Sequence, residues 1–172
     1  IRVLIDSSHD KRTAYEFMVN PVGVKRDRYY FNDSNDDDSW DAMQRVNVAT
    51  FDRSLRALLP GMVARREGSV VAIGSRAVER PWTSGGAAAY AASKAAVVAL
   101  AEVAAAEVLE HGVRVNAVLP STIDTAANRA AMPSADPSTW VSTESLARVV
   151  AFLLSDASRD VSGAAIPVYG RA

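Results

Sequence analysis

The chain has 172 residues, with 19 Lys and Arg against 20 Asp and Glu, and its net charge of −1 offers no global field for nucleic acid or an anionic membrane. It is 49% hydrophobic and 23% charged with no cysteine, which permits a sizeable core and excludes disulfides and thiolate metal sites within it. No apolar run is long enough to span a bilayer, and Ile1 to Asp6 is too short and polar-flanked for a signal peptide, so a cytoplasmic location is expected.

Ile1 to Asp6 reads as a strand. Thr13 to Asn20 alternates with period two and sets Tyr15, Phe17 and Val19 on one face. Asn20-Pro21-Val22-Gly23 is a turn signal, and Val24 to Phe31 returns as a strand, giving an antiparallel meander. Lys25-Arg26-Asp27-Arg28-Tyr29-Tyr30 mixes basic and aromatic residues, as single-strand nucleic-acid binders do, but a two-faced strand explains it better. Asp33 to Asp38 has the look of a calcium loop yet lacks the central glycine and distal Glu. It reads as a solvated linker whose carboxylates suit the helix that follows. His9 and His111 are too isolated to form a metal pair, and no metal is expected.

Residues 40–60 are expected to be a helix, capped by Asp38 or Ser39 and ended by Pro60-Gly61. Val70 to Gly74 reads as a buried strand, and the alanine-rich run from Ala87 to Glu110 as a long helix stopped at His111-Gly112. Val113 to Leu119 is expected as strand, Glu144 to Leu154 as helix and Ala164 to Val168 as a last strand. This alternation implies an α/β fold: a partial Rossmann-type parallel sheet of about three strands with helices, preceded by the meander. One sheet edge is then raw, to be covered by the meander or by an oligomer.

Tyr90 and Lys94 are four residues apart and so share a helix face, presenting a phenol and an ammonium to one cleft. A neighbouring cation favours the phenolate, which makes Tyr90 a usable acid/base near neutral pH. Four strings in order carry a resemblance. They are Trp40 to Val48, Gly68 to Ser75, Ala89 to Ala96 around Tyr90-Ala91-Ala92-Ser93-Lys94, and Val113 to Pro120. From about Asp37 to the C-terminus the chain resembles the short-chain dehydrogenase/reductase family.

The resemblance implies reversible hydride transfer between NAD or NADP and a small carbonyl or alcohol substrate. It implies Tyr90 as proton donor and acceptor, Ser75 polarising the carbonyl oxygen, Lys94 on the nicotinamide ribose and Asn47 holding a relay water. Pro120, Ile123 and Thr125 fall where the family contacts the carboxamide, so the implied cofactor set is Tyr90, Lys94, Pro120, Ile123 and Thr125. Ser121 replaces the glycine of the usual Pro-Gly pair. The family commonly pairs subunits through the helices represented by 40–60 and 87–110, which implies a homo-oligomer through a stripe of Ala91, Ala95, Val98, Glu102 and Ala105–Ala106. Leu119-Pro120, Asp124-Thr125, Asn128-Arg129, Met132-Pro133, Asp136 and Trp140 are similar to the loop of dihydropteridine reductases, implying a planar pterin-like substrate.

The family's T-G-x-x-x-G-x-G phosphate loop and N-N-A-G strand are not among residues 1–172, and Gly23 is the only glycine before Gly61. The adenosine half of the cofactor therefore has no recognisable seat in these residues, and impaired activity is expected. Residues 1–36, through Val3 to Asp6, His9 to Phe17 and Val19-Asn20-Pro21, resemble part of a carbohydrate-binding-like β-sandwich domain of bacterial surface proteins. Two units are therefore expected: residues 1–36 and residues 37–172, meeting near Asp37-Asp38-Ser39-Trp40-Asp41. Two alternatives stay open beside the oxidoreductase: an inactive dimerising or chimeric interaction module, and a glycan-binding fragment.

Overall fold

A computed structural model describes residues 2–6, 14–18, 37–85 and 87–171, with side chains from Trp40 onward. Two short strands, β1 (Arg2–Asp6) and β2 (Ala14–Met18), pair antiparallel with Arg2 opposite Met18. The expected turn at Asn20 to Gly23, the return strand Val24 to Phe31 and the acidic stretch Asp33 to Asp36 lie outside the described residues.

A long helix follows in three parts: α1 (Asp37–Met43), a wider i→i+5 turn over Gln44–Ala49, and α2 (Thr50–Arg65). This corrects both ends of the expected 40–60 helix. Asp38 and Ser39 lie inside it rather than capping it, and Pro60 does not end it. An interior proline costs about 3 kcal/mol through its missing N–H and its clash with the preceding turn. Beyond it, however, Met62 is only 1% exposed and Val63 packs on the same core, a burial that offsets the break. The helix stops at Arg66, whose φ of 57° is left-handed and whose N–H reaches the carbonyls of Met62 and Val63.

The parallel sheet has the order β3 (Gly68–Ile73), β4 (Val113–Pro120), β7 (Ala165–Val168). Between β3 and β4 runs α3 (Ala88–Val108), closed by one tight turn and by Gly112 at φ 70°. A side chain at Gly112 would also meet the Arg66 carbonyl at 2.8 Å, so glycine is required there twice over. After β4 come β5 (Ile123–Asp124), α4 (Ala126–Ala131), β6 (Val141–Ser142) and α5 (Thr143–Leu154). The two-residue ladder of β5 with β6 is absent from the sequence reading, being too short to show a period.

Strand alternation sorts the core into two clusters, one on each face of the sheet. Val70, Ala72, Val113, Val115, Ala117 and Leu119 meet α2 and α3, while Val71 and Val118 meet Leu146, Val150 and Leu153 of α5. The α3 residues that turn inward, among them Val97, Val98, Ala101, Ala104, Ala105 and Val108, are small, so this helix lies close to the sheet. Val98 and Ala105, expected on a stripe facing a second subunit, are instead 5% and 3% exposed within this one.

Candidate active site

The strand ends determine where chemistry can occur. In an open parallel sheet the carboxyl ends of the strands face the loops that connect to helices, and polar side chains collect there. β3 ends at Ile73, and Gly74 and Ser75 follow at once. Gly74 passes under the core: a side chain there would meet Leu119 at 2.5 Å and Val98 at 3.0 Å. Ser75 is buried in extended backbone, and its Oγ accepts the Ala77 N–H at 3.2 Å, which caps the short turn Arg76–Val78.

α3 brings the other groups to the same strand end. Lys94 is 6% exposed, and its Nζ donates to the Ile73 carbonyl at 3.0 Å, two residues before Ser75. The ammonium lies 5.8 Å from the centroid of the Tyr90 ring, within cation–π range. The four-residue spacing sets Tyr90 and Lys94 side by side on α3, and Lys94 reaches the strand that leads into Ser75.

Asn47 sits in the wide turn between α1 and α2, and its Nδ2 donates to Ser93 Oγ at 2.9 Å. Ser93, fully buried, donates in turn to the Tyr90 carbonyl at 2.8 Å. Sequence reasoning does not single out Ser93, although a serine wedged between Tyr90 and Lys94 on an otherwise alanine-rich face is a signal to notice. A helix turn with an extra residue shifts the register of its side chains, and such turns gather at functional sites.

Pro120 is the last residue of β4, buried, and opposite Val168 of β7. Ile123 pairs with Val141, and its carbonyl accepts from Asn128 Nδ2 at 2.7 Å. Thr125 caps α4 by accepting the Asn128 N–H at 3.1 Å, which leaves the hydroxyl proton available to donate. Beside them Arg129 grips Asp124 through two bonds of 2.6 and 2.8 Å, and this hydrogen bonding holds the Asp124 carboxyl below its ordinary range. Asn128, whose role the sequence does not show, is the buried side chain that organises this loop.

The opposite end of the sheet differs. There an open cleft of about 430 Å³ is lined by Glu67, Gly68, Val113, Arg114 and Arg159 among others. None of the predicted site residues lines it. Among the described residues no three His, Asp or Glu side chains converge as metal ligands, and no helix is long and apolar enough to cross a membrane.

Fold and side chains together define an α/β domain with a buried serine just past the carboxyl end of a parallel strand and a lysine, beside a tyrosine ring, bonded to that strand's last carbonyl. A family profile described as enoyl-(acyl carrier protein) reductase matches residues 1–170. The chain belongs to the short-chain dehydrogenase/reductase family. It is 30% identical over 178 residues to 3-oxoacyl-(acyl-carrier-protein) reductase FabG of Thermotoga maritima, covering 99% of this chain and 71% of that protein. Among solved structures, a 3-oxoacyl-(acyl-carrier protein) reductase with bound NAD from Brucella melitensis is 31% identical with a TM-score of 0.66, over 77% of this chain and 51% of that one. A gluconate 5-dehydrogenase from Burkholderia cenocepacia, in complex with NADP and tartrate, is 28% identical with a TM-score of 0.70, over 80% of this chain and 57% of that one. The chain spans about two thirds of the FabG of Pseudomonas aeruginosa (64%) and about half of the solved chains (51%). The family match begins at residue 1, so it takes in the segment that the sequence reading sets apart as sandwich-like.

Proposed function

We propose that these residues form the acid/base part of an NAD- or NADP-dependent oxidoreductase that interconverts a small carbonyl and the corresponding alcohol. The observation that carries this reading is the convergence of buried Lys94 on the Ile73 carbonyl beside the Tyr90 ring, with Ser75 two residues further along. A lone lysine on a helix surface would be solvated. This one is held at the strand end, with its ammonium 5.8 Å from the centroid of the Tyr90 ring.

The residues present fit the nicotinamide half of a dinucleotide. Lys94 brings a buried ammonium to the strand end, and Thr125 keeps a hydroxyl proton to donate just beyond β4. A bound nicotinamide supplies or accepts the hydride. Tyr90 Oη gives a proton to the carbonyl oxygen in reduction and takes it back in oxidation. Ser75 Oγ accepts the Ala77 N–H, which leaves its hydroxyl proton to donate to the developing oxyanion, worth roughly 10²–10³ in rate for one such donor. Asn47, through Ser93, holds the first turn of α3 in place and with it Tyr90. Pro120, Ile123 and Thr125 shape the carboxamide side.

A second copy is proposed to pair through the two long helices, where Val46 and Val103 are 51% and 56% exposed. Light scattering decides that point. The test of the function is to titrate the full-length protein with NADH and NADPH and then screen 3-oxoacyl thioesters, hydroxyketones and dihydropteridines. Saturable binding and turnover that Tyr90→Phe abolishes are expected. Turnover unaffected by Tyr90→Phe overturns the reading.

A further inference from the structure

The segment after β7 ties together loops that leave three different strands. Ser121, just past β4, donates its hydroxyl to the Tyr169 carbonyl at 2.7 Å and its N–H to Val168 at 3.1 Å. Two residues on, the Arg171 N–H bonds the Thr139 carbonyl at 3.1 Å. Gly170 makes this path possible: its φ is 66°, and a side chain there would meet the carbonyls of Thr139 and Trp140 at 3.0 Å. Tyr169 itself reaches the loop that follows Ser75. Its phenol donates to Glu79 Oε2 at 2.6 Å, a short charge-assisted bond, and the Arg80 guanidinium lies 4.8 Å from its ring centroid.

From Glu79 and Arg80 the contacts run both ways along that loop. Toward Ser75, the N–H groups of Glu79 and Arg80 bond the Arg76 carbonyl, and Val78 N–H bonds the Ser75 carbonyl. Away from it, the Arg80 carbonyl accepts both the N–H and the hydroxyl of Thr83, one residue past Trp82. Trp82 is 76% exposed, the most exposed large apolar side chain among the described residues. Ser75 is held by β3 and by Ala77, whereas the Tyr169 phenol ties Glu79, and its ring Arg80, to the segment that follows β7. Burial, reinforced by Glu79, pushes the Tyr169 phenol up to about 12, so it remains a donor across the physiological range.

We propose that Tyr169 is a positioning residue for substrate recognition: through Glu79 and Arg80 it holds the rim segment 79–83, with Trp82, as one wall of the carbonyl entrance. This rests on the oxidoreductase reading above. Releasing the rim weakens substrate binding while leaving the proton-transfer groups and the nicotinamide side in place.

The test is a set of variants of the full-length protein, Tyr169→Phe, Glu79→Ala, Glu79→Gln and the Tyr169→Phe/Glu79→Ala double, assayed with the best carbonyl substrate of the wild type. Loss of a hydrogen bond to a charged group predicts a KM raised about tenfold in Tyr169→Phe, with kcat within about twofold and cofactor affinity unchanged. Glu79→Ala gives the same increase, the double variant adds nothing to it, and Glu79→Gln, which keeps an acceptor, restores most of the affinity. Hydrogen–deuterium exchange at residues 79–83 rises in Tyr169→Phe while that of α3 does not. An unchanged KM, or a parallel loss of kcat, cofactor affinity and melting temperature, overturns the proposal. If the wild type turns over no carbonyl, the functional reading fails. The exchange measurement then still decides the strap, and unchanged protection at 79–83 refutes it.

Discussion

The two ends of the parallel sheet each hold a cation against backbone carbonyls, half-buried at one end and buried at the other, and they employ it differently. At the start of β4, Arg114 donates to the carbonyls of Leu153, Ser155 and Ser158 and to the Ser158 hydroxyl, closing the end of α5. Burial pulls its guanidinium below the ordinary value, yet it stays charged among helix-terminal carbonyls, where a cation is favoured. At the finish of β3, Lys94 bonds one strand carbonyl and faces a phenol. A cation held by backbone carbonyls therefore does not by itself mark a site. A buried one next to a group that can exchange a proton marks a candidate.

The largest effect that would sharpen this contrast is the loss of the phenol. Tyr90→Phe is expected to lower kcat by about 10²–10⁴ with the melting temperature unmoved, whereas Arg114→Ala leaves the kcat of the folded fraction alone. Steady-state kinetics beside a thermal scan checks both, and a wild-type rate in Tyr90→Phe breaks the comparison. Next in size, Arg114→Ala removes the guanidinium's hydrogen bonds to the end of α5, whose carbonyls keep other donors, and is expected to cost about 1–3 kcal/mol in a denaturant titration. Ser93→Ala removes the acceptor of Asn47 and the donor to the Tyr90 carbonyl, costing about 1 kcal/mol and also lowering kcat. A kcat unaffected by Ser93→Ala would detach Asn47 from the acid/base machinery.

The smallest effect is in pH dependence. Tyr169 loses its proton near 10 in the unfolded chain and near 12 in the folded one. Above pH 10 the folded state thus binds more protons than the unfolded state, and stability falls as pH rises. The contribution is complete below pH 10 and lost as pH passes 12. Urea titrations from pH 9 upward are expected to show this slope in the wild type and a shallower one in Tyr169→Phe, whereas an equal slope would show that neither burial nor Glu79 raises the phenol in solution.

Much of the site is legible in the amino-acid sequence. Tyr90 and Lys94 stand four apart on an uninterrupted helical run, and helix geometry alone puts them on one face. Gly112 stops that helix where a left-handed cap demands it. What the sequence does not show are the contacts made across long separations and the places where burial overrides local preference. The helix continues through Pro60 because Met62 beyond it is buried. The stripe on α3 divides because Val98 and Ala105 face the sheet, whereas Ala95 and Glu102 are exposed. Ser93 has the look of one more small helix residue, and only its bond to Asn47, 46 positions away, sets it apart.

Periodicity and punctuation are local properties, and the strand–helix alternation, the apolar strands and the Tyr90–Lys94 face follow from them because 3.6- and 2-residue repeats need no knowledge of what lies opposite. Which polar groups meet is a property of the packed chain. Tyr169 reaches Glu79 across 90 positions because the fold sets the segment after β7 beside the loop after β3, and Lys94 finds the Ile73 carbonyl rather than water because close packing of α3 on β3 and β4 leaves a buried polar atom only the partners within hydrogen-bond reach.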